Sequence, residues 1–448
     1  MKSVIICDME GVIQEINKGA LELFGYDKEE LIGKKRVSIF SPGEIVIQNV
    51  LGWLEKANKE GKSVVKTNFI KKDGSKFNAE ILITPNFANG KDKEQTGYCG
   101  ITQEINEDVN IPINFSTKIF KGIAITRGGF TLASILPMVI IAILLNQVNS
   151  LSIINMIISI TGIVCLHIFG NLYNDYFDVT SGTDEENNEY FNVGDKSVIL
   201  RGAQISGGSR AIELGLITLN KTKKLGNIML IAAIACIVSL SINIFLETKS
   251  FYNIYGIFTF GFLGLILTYF YTAKPLRLSA RKGMGEFVVF LTFGPLLTLG
   301  SAFAMTNTPL DIKYNALKFF IFIGIPLGLL TTNILLINQF PDYKSDKKSN
   351  KINLVVLFGK KLSRWIYLLN LILIFLSTFY FIQEISEFIP LFNYNIFYTI
   401  FSIIFIYGLY IFNGLFKYYD SRKLINYNIH TIYYQIIFCL GLVLTFCI

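Results

Sequence analysis

The chain has 448 residues, 52% hydrophobic and only 17% charged, with a mean hydropathy of +0.47. That is too apolar for a soluble globular protein of this size and points to the membrane class. The formal net charge of +8 matters less than its distribution, no nucleic-acid partner is expected, and six scattered cysteines without a Cys-x-x-Cys pair argue against a disulfide framework or a zinc site.

Val4-Ile5-Ile6-Cys7 runs at once into Asp8 and Glu10, too short an apolar run for a signal peptide. Residues 1 to about 108 are polar and short in period. Val4 to Asn17 reads as strand, turn and strand, with Gly11 as the turn residue. Asn17 to Phe24 reads as a short helix, Lys28 to Gly33 as a helical turn stopped by glycine, and Ile45 to Glu60 as an amphipathic helix. Lys62 to Ile70, Lys76 to Thr84 and Thr96 to Ile101 read as three more strands, the first two joined by Lys72-Asp73-Gly74-Ser75, a hairpin signal. Asp8-x-x-Gly11-x-Ile13-x-x-x-Asn17, Leu23-Phe24-Gly25-Tyr26, Glu30-Leu31-Ile32-Gly33, Lys72-Asp73-Gly74 and Gly97 to Ile105 together resemble a PAS domain. The resemblance implies an α+β sensor or dimerisation module. This segment has no histidine for haem and no Asn-Cys-Arg flavin-adduct signature. A docking or dimerising module without cofactor is expected, with a PAS-mediated dimer or a small-molecule ligand both left open.

Residues 109–122 read as a linker, opened by the breaker cluster Glu107 to Asn114. Nine apolar spans of about 20 residues follow, near 127–146, 151–174, 227–247, 251–271, 285–306, 316–340, 364–383, 389–413 and 428–448. Lysine and arginine crowd alternate loops: Lys196, Arg201 and Arg210; Lys274, Arg277 and Arg281; Lys344, Lys347, Lys348 and Lys351; Lys417 and Lys423. The intervening loops offer Lys249 and Lys313. The positive-inside rule then puts the N-terminal domain in the cytoplasm and the C-terminus outside, in what is expected to be the cell membrane.

Two spans end in oxygen-rich stretches. In Asn171-Leu-Tyr-Asn174-Asp175-Tyr-Phe-Asp178, the four polar residues share one face if the helix continues. In Asn338-Gln-Phe-Pro-Asp342-Tyr-Lys344-Ser-Asp346, three repeat at i+4. Asp175 lies ~18 Å along the axis from mid-span, against a half-thickness of ~15 Å for the hydrocarbon core. Both clusters therefore sit near the cytoplasmic interface, whereas transporter sites favour the midplane. Crowded carboxylates need cations, and oxygen ligands suit Mg²⁺ shared with substrate phosphates. With Arg201, Lys274, Arg277 and Lys344 in the same loops, the set makes a receiver for a lipid diphosphate whose tail lies among the apolar helices.

Asn174-Asp175-x-x-Asp178-x-x-x-Gly182-x-Asp184 and Asp342-x-x-x-Asp346, after the second and sixth spans, resemble the two aspartate motifs of UbiA-type intramembrane prenyltransferases. Tyr271-Thr-Ala-Lys274-Pro275-Leu-Arg277-Leu278 with Gly283-Met-Gly285-Glu286, and Phe293-Gly294-Pro295, extend the likeness over about 120 to 448. The Gly182-x-Asp184 spacing and Arg201-Gly202-x-x-Ile205-Ser206 resemble the 1,4-dihydroxy-2-naphthoate branch of menaquinone synthesis. Lys274 departs from the smaller residue that many members carry there. The resemblance implies an all-α bundle of nine transmembrane helices over 123–448. It implies Mg²⁺ on Asp175, Asp178, Asp184, Asp342 and Asp346, with Asp175, Asp178, Asp342 and Asp346 as catalytic residues. Lys274, Arg277 and Arg201 would face the leaving group, Asn174 and Asn338 would orient ligands, and Tyr271 would contact substrate. A polyprenyl diphosphate and an aromatic acceptor are the implied partners. A prenyltransferase for another aromatic or lipid acceptor, a transporter and a membrane-anchored receptor are the competing readings.

Overall fold

The computed structural model describes residues 2–9, 11–90, 92–180, 211–212, 216–249, 251–310, 316–385, 392–421 and 423–447. The chain divides into two compact units, one running to Thr126 and including the described residues between Ala211 and Thr222, the other holding the helical body from Arg127 onward.

In the first unit, β1 (Ser3–Asp8), β2 (Ile13–Ile16), β3 (Ser63–Ile70), β4 (Lys76–Asn86) and β5 (Gly97–Glu104) form one antiparallel sheet in the order β2-β1-β5-β4-β3. Period-two burial turns Ser3, Ile5 and Cys7 of β1 inward. Gly11, at φ +80°, makes the turn after β1, a conformation that L side chains rarely adopt. The helix α1 (Lys18–Phe24) begins where the Asn17 side chain accepts from the Ala20 amide at 2.9 Å. A capping box of Asp27 and Glu30 opens α2 (Lys28–Leu31). Phe24 stacks on Phe40 with ring centroids 4.1 Å apart, and Phe69, Phe77 and Ile13 complete the core.

The helix expected over 45–60 is not regular. It runs as α3 (Gly43–Ile45), a π turn over Val46–Val50, and α4 (Leu51–Glu60). A π turn carries one residue more than an α turn and so re-aims its side chains. Gln48 on this turn donates to the Pro112 carbonyl at 3.0 Å and accepts from the Asn114 amide and the Thr117 hydroxyl, each at 2.9 Å. The helix it grips is α5 (Phe115–Thr126), which takes in most of the stretch read above as linker. Breakers end at Asn114, whose carbonyl accepts the first helical bond from Lys118. Lys121 then pairs with Glu44.

The second unit contains α6 (Leu132–Gln147), α7 (Ile153–Thr180), α8 (Leu219–Thr248), α9 (Phe251–Thr272), α10 (Met284–Phe293), α11 (Pro295–Met305), α12 (Ala316–Asn338), α13 (Tyr343–Lys348), α14 (Leu354–Ile385), α15 (Tyr394–Tyr418) and α16 (Leu424–Cys447). Among the described residues nine helical spans of 20–32 residues are apolar and long enough to cross a membrane, α10 and α11 counting as one broken span. This is an integral membrane protein. Of the two glycine–proline pairs, Gly294-Pro295 breaks its span, with Gly294 at φ −111°, ψ −111°. Pro326 stays inside a continuous α12. The break lets backbones approach: a Cβ on Gly328 would lie 2.3 Å from the Phe290 carbonyl oxygen, and one on Gly324 2.7 Å from Pro295. Lipid gives apolar helix faces no hydrophobic drive to associate, and a polar seam adds hydrogen bonds among α12, α14 and α16 to their packing. Asn370 donates to Asn333 at 2.9 Å, Gln435 to Thr331 at 2.9 Å, and Tyr367 meets Thr431 at 3.1 Å.

Candidate active site

The first acidic stretch is helical to its end, because α7 continues through Thr180. Asn171, Asn174, Asp175 and Asp178 thus share a face, with Asp175 buried and Asp178 half-buried. Asn174 accepts from the Thr272 hydroxyl at 2.8 Å, which ties α7 to the last residue of α9. Tyr271 precedes that tie. Beyond it the chain turns sharply. Arg277 stands at φ +41°, Arg281 donates to the carbonyls of Leu276 and Pro275, and Lys274 is exposed.

The second stretch is not one helix. Proline lacks the amide that a helix needs and clashes with the preceding turn, so α12 ends at Asn338 and the chain turns through Pro341. Asp342 then stands at the N-terminal boundary of α13, and Asp346 lies buried in that helix's first turn. The i+4 stripe read from the sequence is thus broken after Asn338. That residue accepts instead from Asn428 of α16 at 2.8 Å. Lys344 is exposed, and its charge acts on Asp420.

The loop after α13 closes the site. Asn350 takes the left-handed conformation at φ +54°, one that asparagine tolerates. This returns Lys351 to the acidic residues: its amide donates to the Asp346 carbonyl at 2.8 Å and its ammonium lies 3.5 Å from Asp346 Oδ1. Asn353 donates to Asp346 Oδ2 at 2.6 Å, and its own Oδ1 caps α14 by accepting from Val356 at 2.8 Å. Ile352 donates to Ala280 at 3.1 Å, joining this loop to the one after α9. Buried Glu286 accepts from the Leu354 amide at 2.8 Å through Oε1.

The electrostatics show which charges converge. Burial pushes the Asp346 carboxyl up to about 7; Lys351 opposes that rise, while Asp342 and Asp178 add to it. Lys351 is in turn held protonated, chiefly by Asp346, and Asp178, Tyr271 and Asp342 also act on it. Residues from α7, α9, α13 and the following loop therefore share one electrostatic neighbourhood. Among the described residues no three His, Cys, Asp or Glu side chains stand close enough to hold a metal ion together. The donor chemistry nevertheless fits a hard divalent cation that draws part of its shell from substrate oxygens. Glu286 Oε2, a buried acceptor oxygen without a partner among the described residues, fits the same chemistry.

Of the residues singled out from the sequence, Asp178, Tyr271, Asp342 and Asp346 lie within electrostatic reach of Lys351. Asp175 is buried one turn before Asp178. Asn174 and Asn338 engage neighbouring helices, and Lys274 and Arg277 occupy the adjoining loop. Asp184, Gly182 and Arg201 lie outside the described residues. Sequence reasoning missed Lys351, Asn353 and Glu286 as parts of one cluster. Lys351 is one of several loop cations, but the Ser349-Asn350 turn signal before it and Asn353 as a cap to an apolar run were legible.

Residues 135–430 match the family model described as the UbiA prenyltransferase family, and residues 1–107 match that of the PAS domain. "UbiA prenyltransferase domain-containing protein 1" of Dictyostelium discoideum is 26% identical over 226 residues, 50% of this chain and 60% of that protein. The 1,4-dihydroxy-2-naphthoate octaprenyltransferase of Escherichia coli (strain K12) is 27% identical over 195 residues, 44% of this chain and 54% of that protein. The chain thus spans 60% and 54% of the length of these two relatives. The apo structure of a UbiA homolog from Aeropyrum pernix K1 superposes with a TM-score of 0.50 at 13% identity, over 71% of this chain and 98% of that one, a likeness of fold.

Proposed function

This chain belongs to the UbiA prenyltransferase family, and we propose on that footing that it moves a polyprenyl group from an allylic diphosphate to an aromatic acceptor. The acceptor we favour is 1,4-dihydroxy-2-naphthoate. The naphthoate relative and the Gly182-x-Asp184 spacing support that choice. The observation that supports the reading is the electrostatic neighbourhood that Asp178, Asp342 and Asp346 share around Lys351.

In this reading Asp175, Asp178, Asp342 and Asp346, with Asp184, would hold Mg²⁺. Bound there, Mg²⁺ supplies Lewis-acid neutralisation of the diphosphate. Arg277, Lys274 and Arg201 offset charge growing on the departing diphosphate. The apolar spans hold the prenyl tail and keep water from the allylic carbon. The C–O bond breaks with its electron pair leaving on the diphosphate. The acceptor ring carbon then bonds the allylic carbon, and the ring carboxylate leaves as carbon dioxide. The N-terminus and both acidic stretches face the cytoplasm, as the loop charges imply.

The test is mass spectrometry of products from the purified full chain in lipid nanodiscs, given an allylic diphosphate, Mg²⁺ and a panel of acceptors. A product equal to the naphthoate plus prenyl minus the carboxyl group supports the proposal. Prenylation of a different acceptor alone overturns the acceptor, and no prenyl product from any acceptor overturns the activity.

A further inference from the structure

Lys351 has a place in the site that the prenyl-transfer reading does not use. The ammonium is tied down at its backbone and loosely held at its tip. Asn350 at φ +54° and the Lys351 amide bond to Asp346 fix where the side chain starts. Its side chain is 24% exposed beside an Asp346 side chain that is 4% exposed. The 3.5 Å separation is longer than a close charge-assisted hydrogen bond. Asp346 Oδ2 is meanwhile committed to Asn353, a neutral amide that cannot discharge it. Lys351 acts on Asp346, Asp178, Tyr271 and Asp342, groups from three separate stretches of chain. Its basic neighbours do not share this position: Lys360 pairs with Asp420 at 2.7 Å, and Lys344 acts on the same Asp420.

From this we infer that Lys351 is the internal counter-cation of the acidic site. It offsets part of the carboxylate charge while no divalent ion is present, gives way when one binds, and turns to the diphosphate oxygens when substrate arrives. The inference rests on the proposed diphosphate chemistry. One positive charge cannot balance several carboxylates, so the site keeps its attraction for a divalent cation. That cation must, however, share the space with the ammonium and be repelled by it. An incoming diphosphate reverses the effect, because the ammonium that repels the cation attracts the negative diphosphate oxygens. Lysine suits this role, since a compact charge on a flexible stem can move between oxygens, where a forked guanidinium would lock one geometry.

Opposite effects on two ligands are therefore expected from removing the charge. In full-length protein, Lys351→Met should bind Mn²⁺ alone about tenfold more tightly, and inorganic pyrophosphate at saturating Mg²⁺ about tenfold more weakly. Lys351→Arg keeps the charge and loses the mobility, so it should shift both affinities less than Lys351→Met does. Calorimetry on the nanodisc-embedded protein reads both affinities. A wild-type measurement stands beside the variants: reductive methylation of Lys351, followed by mass spectrometry, should speed up when Mn²⁺ is added alone and slow again with Mg²⁺ and pyrophosphate. If Lys351→Met weakens both ligands or changes neither, or if methylation is indifferent to Mn²⁺, Lys351 is a structural pair to Asp346 and the inference fails. If the unchanged chain binds neither Mn²⁺ nor pyrophosphate saturably, the diphosphate reading itself has failed, and this inference goes with it.

Discussion

Asp346 is a carboxyl taken out of water and placed near two others, and its proton affinity follows from that. Its pKa rises from the ordinary 3.8 to about 7. Between those values the folded chain holds a proton that the unfolded chain has released. Stability without divalent ions should therefore fall as pH climbs from about 4 to about 7 and level off above. Thermal unfolding in chelator at pH 5, 6, 7 and 8 checks this, and Asp346→Asn should flatten the trend. Mn²⁺ affinity should run the other way, rising up to pH 7 as the carboxyl ionises. Asp178→Asn and Asp342→Asn keep shape and lose charge. Each is expected to lower prenyl transfer by about 100-fold, the ~3 kcal/mol typical of one electrostatic element, with the protein still folded by circular dichroism. The aspartates were legible because carboxylates at the end of an apolar run are conspicuous. Lys351 was not, because a loop cation looks like any other until the backbone turn at Asn350 aims it. Asn338 stood out for its spacing alone, and its amide is engaged by Asn428, a partner 90 residues away that no local pattern announces.

Helices in this molecule announce themselves by their apolar runs, and their interruptions announce themselves less well. Gly294-Pro295 and Gly324-Ile-Pro326 look alike on paper. One ends a helix, while the other lies in an unbroken one, because contact with the rest of the body decides between them. Where α10 meets α12 there is no room for a methyl group. Gly328→Ala should cost ~1–3 kcal/mol through overpacking against the Phe290 carbonyl. Gly264→Ala in α9, where an added Cβ meets nothing within 4 Å, should be neutral or gain up to ~1 kcal/mol from helix propensity. Melting temperatures of the two variants in one detergent make the comparison. The second acidic stripe looked helical because i+4 spacing was counted across Pro341, and the missing amide there forces a turn. The linker assigned from its breakers is in large part α5, since helix formation resumed as soon as the breakers ended.

At the scale of the whole chain, the loop charges predict a side for each terminus. A reporter fused at Lys2 should behave as cytoplasmic and one fused after Ile448 as extracytoplasmic; both reporters on one side would contradict the orientation assigned to the acidic stretches. A chain shortened to begin at Phe115 should still insert and transfer prenyl groups, because every carboxylate and basic residue of the proposed mechanism lies beyond that point. Turnover in membranes carrying the shortened chain, corrected for its amount, measures this. The grip of Gln48 and Glu44 on α5 has a practical consequence for anyone building chimeras from this protein. The PAS sheet ends at Glu104, and a family boundary near 107 invites a splice there. Such a splice would part Gln48 from Asn114 and Thr117 and leave Glu44 without Lys121. A donor module cut after Thr126 carries its own handle with it, so the transplantable piece is about twenty residues longer than its sheet suggests.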